Sequence, residues 1–317
     1  MVASSLGFGA ASPALTTVTD VLLPGNVTRF DYQSFDPFTK TLYIAHMGDG
    51  ELVVFNAAIR KVVAHLHGLP TVTGVLFVPE LHRVFASVPG NHEIVVVESD
   101  SLKIIARIPD GEFPDGLAYA SEIGKLFVSD EFGGKETVID VKTNLLISTI
   151  DMGGEVGNTK YDPVTQQILT NVQTLNELVV IDPRTDKITG RHHLTGGDAP
   201  HGLLLDASKR LAFAACEGDS KLLVIDLNSF EVKQVFNTGN GPDVIAFDTE
   251  LERLYVGTES GTVSIFQLRG QTLEKMDDLF VAPGAHTVSV DSQTHEVYLS
   301  LKNVKGHPIL RIMKPTK

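Results

Sequence analysis

Two histidines and three aspartates recur at one register of this 317-residue sequence: Asp31, Asp115, His201, Asp243 and His286. Imidazole nitrogens and carboxylate oxygens are common protein donors to divalent transition ions. If the fold brings them together, His201, His286, Asp243 and Asp31 make a metal set. Asp115 then faces them as a ligand contact. The alternative is equally concrete: a repeat can carry His or an acid there for structural reasons, and a wide channel can keep the groups apart in water. A divalent metal ion is the one cofactor these residues suggest.

A second series follows at a later register. It comprises His46, Met47 and Asp49; Asn91 and His92; Asp130, Glu131 and Phe132; Asn171 and Gln173; Cys216 and Glu217; Glu259; and Lys302 and Asn303. These residues are chemically diverse at equivalent positions, as expected of loops that bind a ligand on a rigid scaffold. Asp130, Glu131, Asn91, His92, Glu217 and Lys302 are the ligand-binding candidates. Glu217, His46, His92 and Lys302 are also acid–base candidates, because a cleft can shift their pKa values toward neutrality. Cys216 ends an apolar strand beside Glu217. An acidic neighbour raises a thiol pKa, so Cys216 reads as a small core residue rather than a nucleophile. His65 and His67 alternate on one outer strand and therefore share a face, where they could bind a stray metal; simple exposure to solvent is the preferred explanation.

Other chemistries are excluded. One cysteine rules out an internal disulfide framework and multi-cysteine metal sites. The chain contains no phosphate loop, Gly-x-Ser-x-Gly elbow or dinucleotide fingerprint. A formal charge of -13 argues against nucleic acid as a partner, because phosphate recognition needs clustered Lys and Arg. No run of 18 apolar residues is present, so no helix is expected to span a membrane.

The elements that must position these residues follow from a repeat. Asp36, Val78, Ala120, Asp162, Asp206, Asp248 and Asp291 each close an equivalent short apolar strand, at spacings of 42 to 44 residues. The site register lies five residues earlier in every unit. Each unit reads as four strands, the first three apolar and the fourth more polar. Such a period with several short strands is a propeller signature. Six complete units run from about Asn26 to Ala285. The seventh, His286 to Met313, holds only three strands, and Thr16 to Leu23 has the character of the missing fourth. Pairing that strand with the last unit closes the ring and leaves no free blade edge. The expected architecture is all-β: a seven-bladed β-propeller over residues 15–317, preceded by a flexible tail over residues 1–14. That tail has no basic segment or long apolar stretch; it reads as a trimmed signal remnant or as a native tail.

The units Ala199-Pro200-His201-Gly202, Lys221-Leu-Leu-Val-Ile-Asp226 and Leu254-Tyr-Val-Gly257 resemble the YVTN family of β-propeller repeats. The resemblance covers nearly the whole chain. It implies a seven-bladed propeller in an exported protein, periplasmic or secreted, although a cytoplasmic location stays open. Neighbouring propeller families include lactonases and lyases. Blade four departs from the motif at Gly157-Asn158-Thr159-Lys160, blade two at Thr71-Val72-Thr73 and blade one at Arg29-Phe30-Asp31. Two functions remain open. One is a binding protein that presents its axial mouth to a small molecule, a glycan or a protein, with or without a metal ion. The other is a metal-dependent hydrolase or lyase at the same mouth.

Overall fold

The computed structural model describes residues 13–316. Its strands form seven four-stranded antiparallel sheets. Their innermost strands are Gln33–Asp36, Val75–Val78, Pro114–Ala120, Val156–Asp162, Pro200–Asp206, Pro242–Asp248 and Val288–Asp291. Each ends on the residue that the sequence repeat marks as closing the strand. Sheets one to six are continuous in sequence. In the seventh the order runs inward from Leu15–Leu22 through His307–Pro315 and Glu296–Val304 to Val288–Asp291. The N-terminal strand is therefore the outer strand of the last blade, and it closes the ring.

Burial explains the order within each blade. In blade five Leu211–Cys216 is buried throughout, because neighbouring blades cover both of its faces. The outer strand Lys61–His67 of blade one alternates exposed and half-buried positions with the two-residue period of a pleated strand facing water. The buried apolar side chains form seven clusters, each straddling one pair of adjacent blades. One joins Phe85 and Ile94 of blade two to Leu126 and Val128 of blade three. Another joins Leu42 and Ile44 of blade one to Tyr298 and Leu310 of blade seven. The hydrophobic core is thus a continuous ring around an axis lined by the innermost strands.

One end of the ring is built for strand reversal. Asp36 and Asp162 each accept hydrogen bonds from the backbone two residues on and from a threonine hydroxyl three residues on. These carboxylates also clasp adjacent blades. Arg210 of blade five reaches the buried Asp162 of blade four at 2.8 Å, and Lys40 of blade one reaches Asp291 of blade seven at 3.1 Å. The other end carries the site registers.

Of the expected N-terminal tail, residues 1–12 lie outside the described residues. Pro13 and Ala14 are tied to the last blade: Thr316 donates its backbone N–H to the Ala14 carbonyl and its hydroxyl to that of Pro13. Ala14 N–H also donates to Asp277. Among the described residues no helix is long and apolar enough to cross a membrane.

Candidate functional site

The register that carries Asp115, His201 and Asp243 sits at a β-bulge. Pairing to the second strand skips between Pro114 and Leu117, between Pro200 and Gly202, and between Pro242 and Ile245. A bulge interrupts the strand's alternation and re-aims a side chain. Here it turns the residue after each proline toward the axis. In blades two, three and five a glycine follows the axial residue, for a separate reason. A Cβ on Gly202 would stand 1.9 Å from the Asp243 carbonyl oxygen, and one on Gly74 would stand 1.8 Å from that of Asp115. The blades crowd closest where their axial residues project.

These side chains line an axial cavity of about 410 Å³. Asp31, Asp115, Glu131, His201, Glu217, Asp243 and Glu259 contribute its polar walls, together with Arg29 and Tyr32. Six carboxylates thus face one space that holds a single arginine. Asp31, Asp115, His201 and Asp243 are all buried. His201 Nε2 lies 3.7 Å from both Asp115 Oδ2 and Asp243 Oδ1, and Nδ1 lies 4.0 Å from Glu131 Oε1. Burial alone would lower the His201 pKa, but Asp243, Glu217, Asp115 and Glu131 outweigh it and raise it to about 9. Burial lifts Asp115 to about 7 and also raises Asp31, Glu131 and Glu217. Among the described residues, Asp115 Oδ2 and His201 Nδ1 are buried without a hydrogen-bond partner.

The four residues expected to hold a metal fall into two overlapping groups. Asp31, Asp243 and His286 offer ligand atoms within 4.8 Å of one another, and so do His201, Glu217 and Asp243. Asp243 is common to both. Burial lowers the His286 pKa, and neutral imidazole is the form that ligates a metal. The residues present fit a divalent ion through the carboxylates of Asp31, Asp243 and Glu217. The His286 ring nitrogens meet the Gly284 and Phe30 carbonyls at 3.2 and 3.1 Å, so ligation by His286 replaces one of these contacts.

Of the second series, Met47, Glu131, Glu217 and Glu259 reach this cavity. The structure does not bring His46, Asn91, His92, Asp130 or Lys302 into it. His46 is fully buried, stacks on Phe30 at 4.1 Å and meets the Thr28 hydroxyl at 2.9 Å, so it braces the loop that carries Arg29 and Asp31. Burial lowers its pKa. His92 is exposed, with Nδ1 2.9 Å from the Glu112 carbonyl, and Asn91 donates to Glu93. Asp130 is buried and accepts the Phe113 N–H, while Lys302 is exposed on blade seven. Of the acid–base candidates, only Glu217 faces the axial cavity. Cys216 is buried, and burial pushes its thiol to about 12.

Sequence reasoning passes over Tyr32 and Asn158. The Tyr32 hydroxyl accepts a hydrogen bond from Asn158 Nδ2 at 2.6 Å, meets His201 Nε2 at 3.0 Å and donates to Asp243 Oδ1 at 3.3 Å. A phenol has one proton and two lone pairs, so donation from His201 completes its bonding when the imidazole is charged. Tyr32 also lines a second cavity of about 290 Å³ along the axis, which contains Lys160 and Asn158. The ring thus forms a floor to the mouth. The signal was available: the position after the axial register is glycine in blades two, three and five, but Tyr32 in blade one and Asn158 in blade four. Arg29, also passed over, pairs with Glu259 at 2.5 Å and lies 3.9 Å from Asp243.

No family model matches the chain. It is 23% identical over 185 residues to the uncharacterized protein YncE of Salmonella typhimurium, covering 56% of this chain and 51% of that protein. It is 22% identical over the same length to the uncharacterized protein YncE of Salmonella typhi. The chain spans about half the length of these curated relatives. Among solved structures it resembles a chain of the mitotic checkpoint complex, with a TM-score of 0.81 at 11% identity, covering 100% of this chain and 97% of that one. A chain of Kuenenia stuttgartiensis hydrazine synthase matches with a TM-score of 0.74 at 14% identity, covering 93% and 97%. The WD40 repeats of RRP9 match with a TM-score of 0.78 at 10% identity, covering 95% and 100%. At such identities the likeness is one of fold: a seven-bladed β-propeller, weakly similar in sequence to YncE.

Proposed function

We propose that this chain is a binding protein whose axial mouth takes a small ligand through a divalent cation held by Asp31, Asp243 and His286, with His201 and Glu217 on its other side. The observation that carries this reading is the convergence of six carboxylates on one cavity in which, among the described residues, Asp115 Oδ2 and His201 Nδ1 have no hydrogen-bond partner. Without a cation, burial first and repulsion by neighbouring carboxylates second favour the protonated forms of Asp31 and Asp115, whose pKa values are raised. A cation removes that repulsion and completes the bonding. Location outside the cytoplasm belongs to the same proposal and rests on the resemblance to repeats common in exported proteins.

A second reading, a metal-assisted hydrolase or lyase, is favoured by one feature. His201 holds its proton up to about 9 beside an open cavity, as a proton donor to a leaving group would. A bound cation in that case would polarise a carbonyl or lower the pKa of a bound water.

Titration calorimetry with Mn²⁺, Ca²⁺ and Zn²⁺ on tag-free protein tests the binding reading. A His65→Ala/His67→Ala background keeps the outer surface silent. Saturable binding that weakens at least about tenfold in Asp243→Asn and in His286→Ala supports it. Absence of binding, or equal affinity in these variants, rejects it.

A further inference from the structure

The repeat supplies an internal control for a place far from the mouth. In blade two the third strand opens with Glu93, whose carboxylate pairs with Arg107 of the outer strand. In blade four Glu177 pairs in the same way with Arg191 at 2.8 Å. The registers are equivalent, since Arg107 lies opposite Val95 and Arg191 opposite Val179. Blade one keeps the glutamate, Glu51, but His65 takes the arginine's place opposite Val53. His67 lies directly opposite Glu51, two residues further along.

The two-residue period of a strand puts His65 and His67 on one outward face. Their rings meet edge to face, 4.6 Å between centroids. One carboxylate serves both: Glu51 Oε2 is 3.2 Å from His65 Nδ1, and Oε1 is 2.8 Å from His67 Nδ1. The three residues offer ligand atoms within 4.8 Å of one another. The Glu51 side chain is only 12% exposed, so the carboxylate is held in place while the rings face water. An arginine at this position could only form an ion pair, because guanidinium keeps its proton and has no lone pair to give a metal. Imidazole has one. Arg107 of the next blade comes near, bonding the Gly68 carbonyl at 3.3 Å, but its charge is matched by Glu93.

We propose that Glu51, His65 and His67 bind a divalent transition ion of the zinc class, with the remaining coordination positions open to solvent. Two imidazole nitrogens and one carboxylate oxygen form a donor set that suits Zn²⁺ and its neighbours and does not suit Mg²⁺ or Ca²⁺. The site shares no residue with the mouth and stands or falls independently of the function proposed for it.

The test uses tag-free protein carrying Asp243→Asn and His286→Ala, which disables the mouth. Zn²⁺ is titrated by calorimetry, and Co²⁺ is added as a spectroscopic probe. The proposal expects one ion per chain, visible Co²⁺ ligand-field bands, and at least about a tenfold loss of affinity in His65→Ala and in His67→Ala. His193→Ala in blade four, where the glutamate faces Arg191, should leave the affinity unchanged. Both altered histidines are exposed, so metal-free melting should match that of the parent. Absence of Zn²⁺ binding, or equal affinity with and without the two histidines, overturns the proposal.

Discussion

The Tyr32 hydroxyl and the Asn158 amide meet at 2.6 Å across the propeller axis, although 126 positions separate them in sequence. Tyr32 enters from blade one and Asn158 from blade four. Their contact converts an open axial channel into two cavities and places a phenol under His201 and Asp243. It is a link that no single blade makes by itself.

Tyr32→Phe keeps the ring and removes that hub. Asn158 Nδ2 loses its acceptor, and Asp243 and His201 lose a buried partner. Leaving buried polar groups unpaired costs about 1–3 kcal/mol, so chemical denaturation of the metal-free protein should show a loss in that range. Asn158→Ala should cost less, because Tyr32 then keeps His201 and Asp243. Equal stability of Tyr32→Phe and the parent would mean that water already serves these groups.

The stability of the metal-free protein should fall between about pH 7 and pH 9. His201 is raised to about 9 and Glu136, buried between blades three and four, to about 8. Both are raised above their unfolded values, so the folded chain holds protons that the unfolded chain has released. Stability is then lost as pH rises through the folded values. His46 and His286 are lowered, so their opposing contribution rises only up to and just above the unfolded histidine value of about 6.5 and fades above pH 7. Glu136→Gln should flatten the slope, and so should a saturating divalent cation, which stabilises the deprotonated carboxylates. Melting temperatures that are level or rising from pH 7 to pH 9 would contradict these proton assignments.

Deleting residues 1–22 removes the outer strand of blade seven. Leu15 is then lost from the core shared by blades six and seven, and Arg311 loses its two-point contact with Asp20 at 2.8 and 2.7 Å. The strand His307–Pro315 would present an unpaired edge. A loss of several kcal/mol is expected, out of a typical total of roughly 5–15 kcal/mol. Sedimentation or light scattering should also show association through the exposed edge. A monomer that melts like the parent would mean that the closing strand contributes little.

Much of this molecule is written in local pattern. The apolar strands, their spacing of 42 to 44 residues and the three-stranded last unit are properties of contiguous segments, and they determine seven blades and a closing N-terminal strand. Because the blades repeat one strand order, the same register brings Asp31, Asp115, His201 and Asp243 to the axial cavity and His286 beside Asp31 and Asp243. The second series did not carry over in the same way. A residue after the second strand faces the axis, the loop interior or solvent according to the turn it occupies. Thus Glu131 and Glu217 enter the cavity, His46 turns under Phe30, and His92 and Lys302 stay at the surface. Only the closed ring sets Tyr32 against Asn158 and Arg29 against Glu259, because these pairs join blades that sequence distance does not relate. The charge state of His201 also belongs to the tertiary structure. It is the sum of carboxylates from several blades acting on one buried ring, a quantity that no segment of the chain contains by itself.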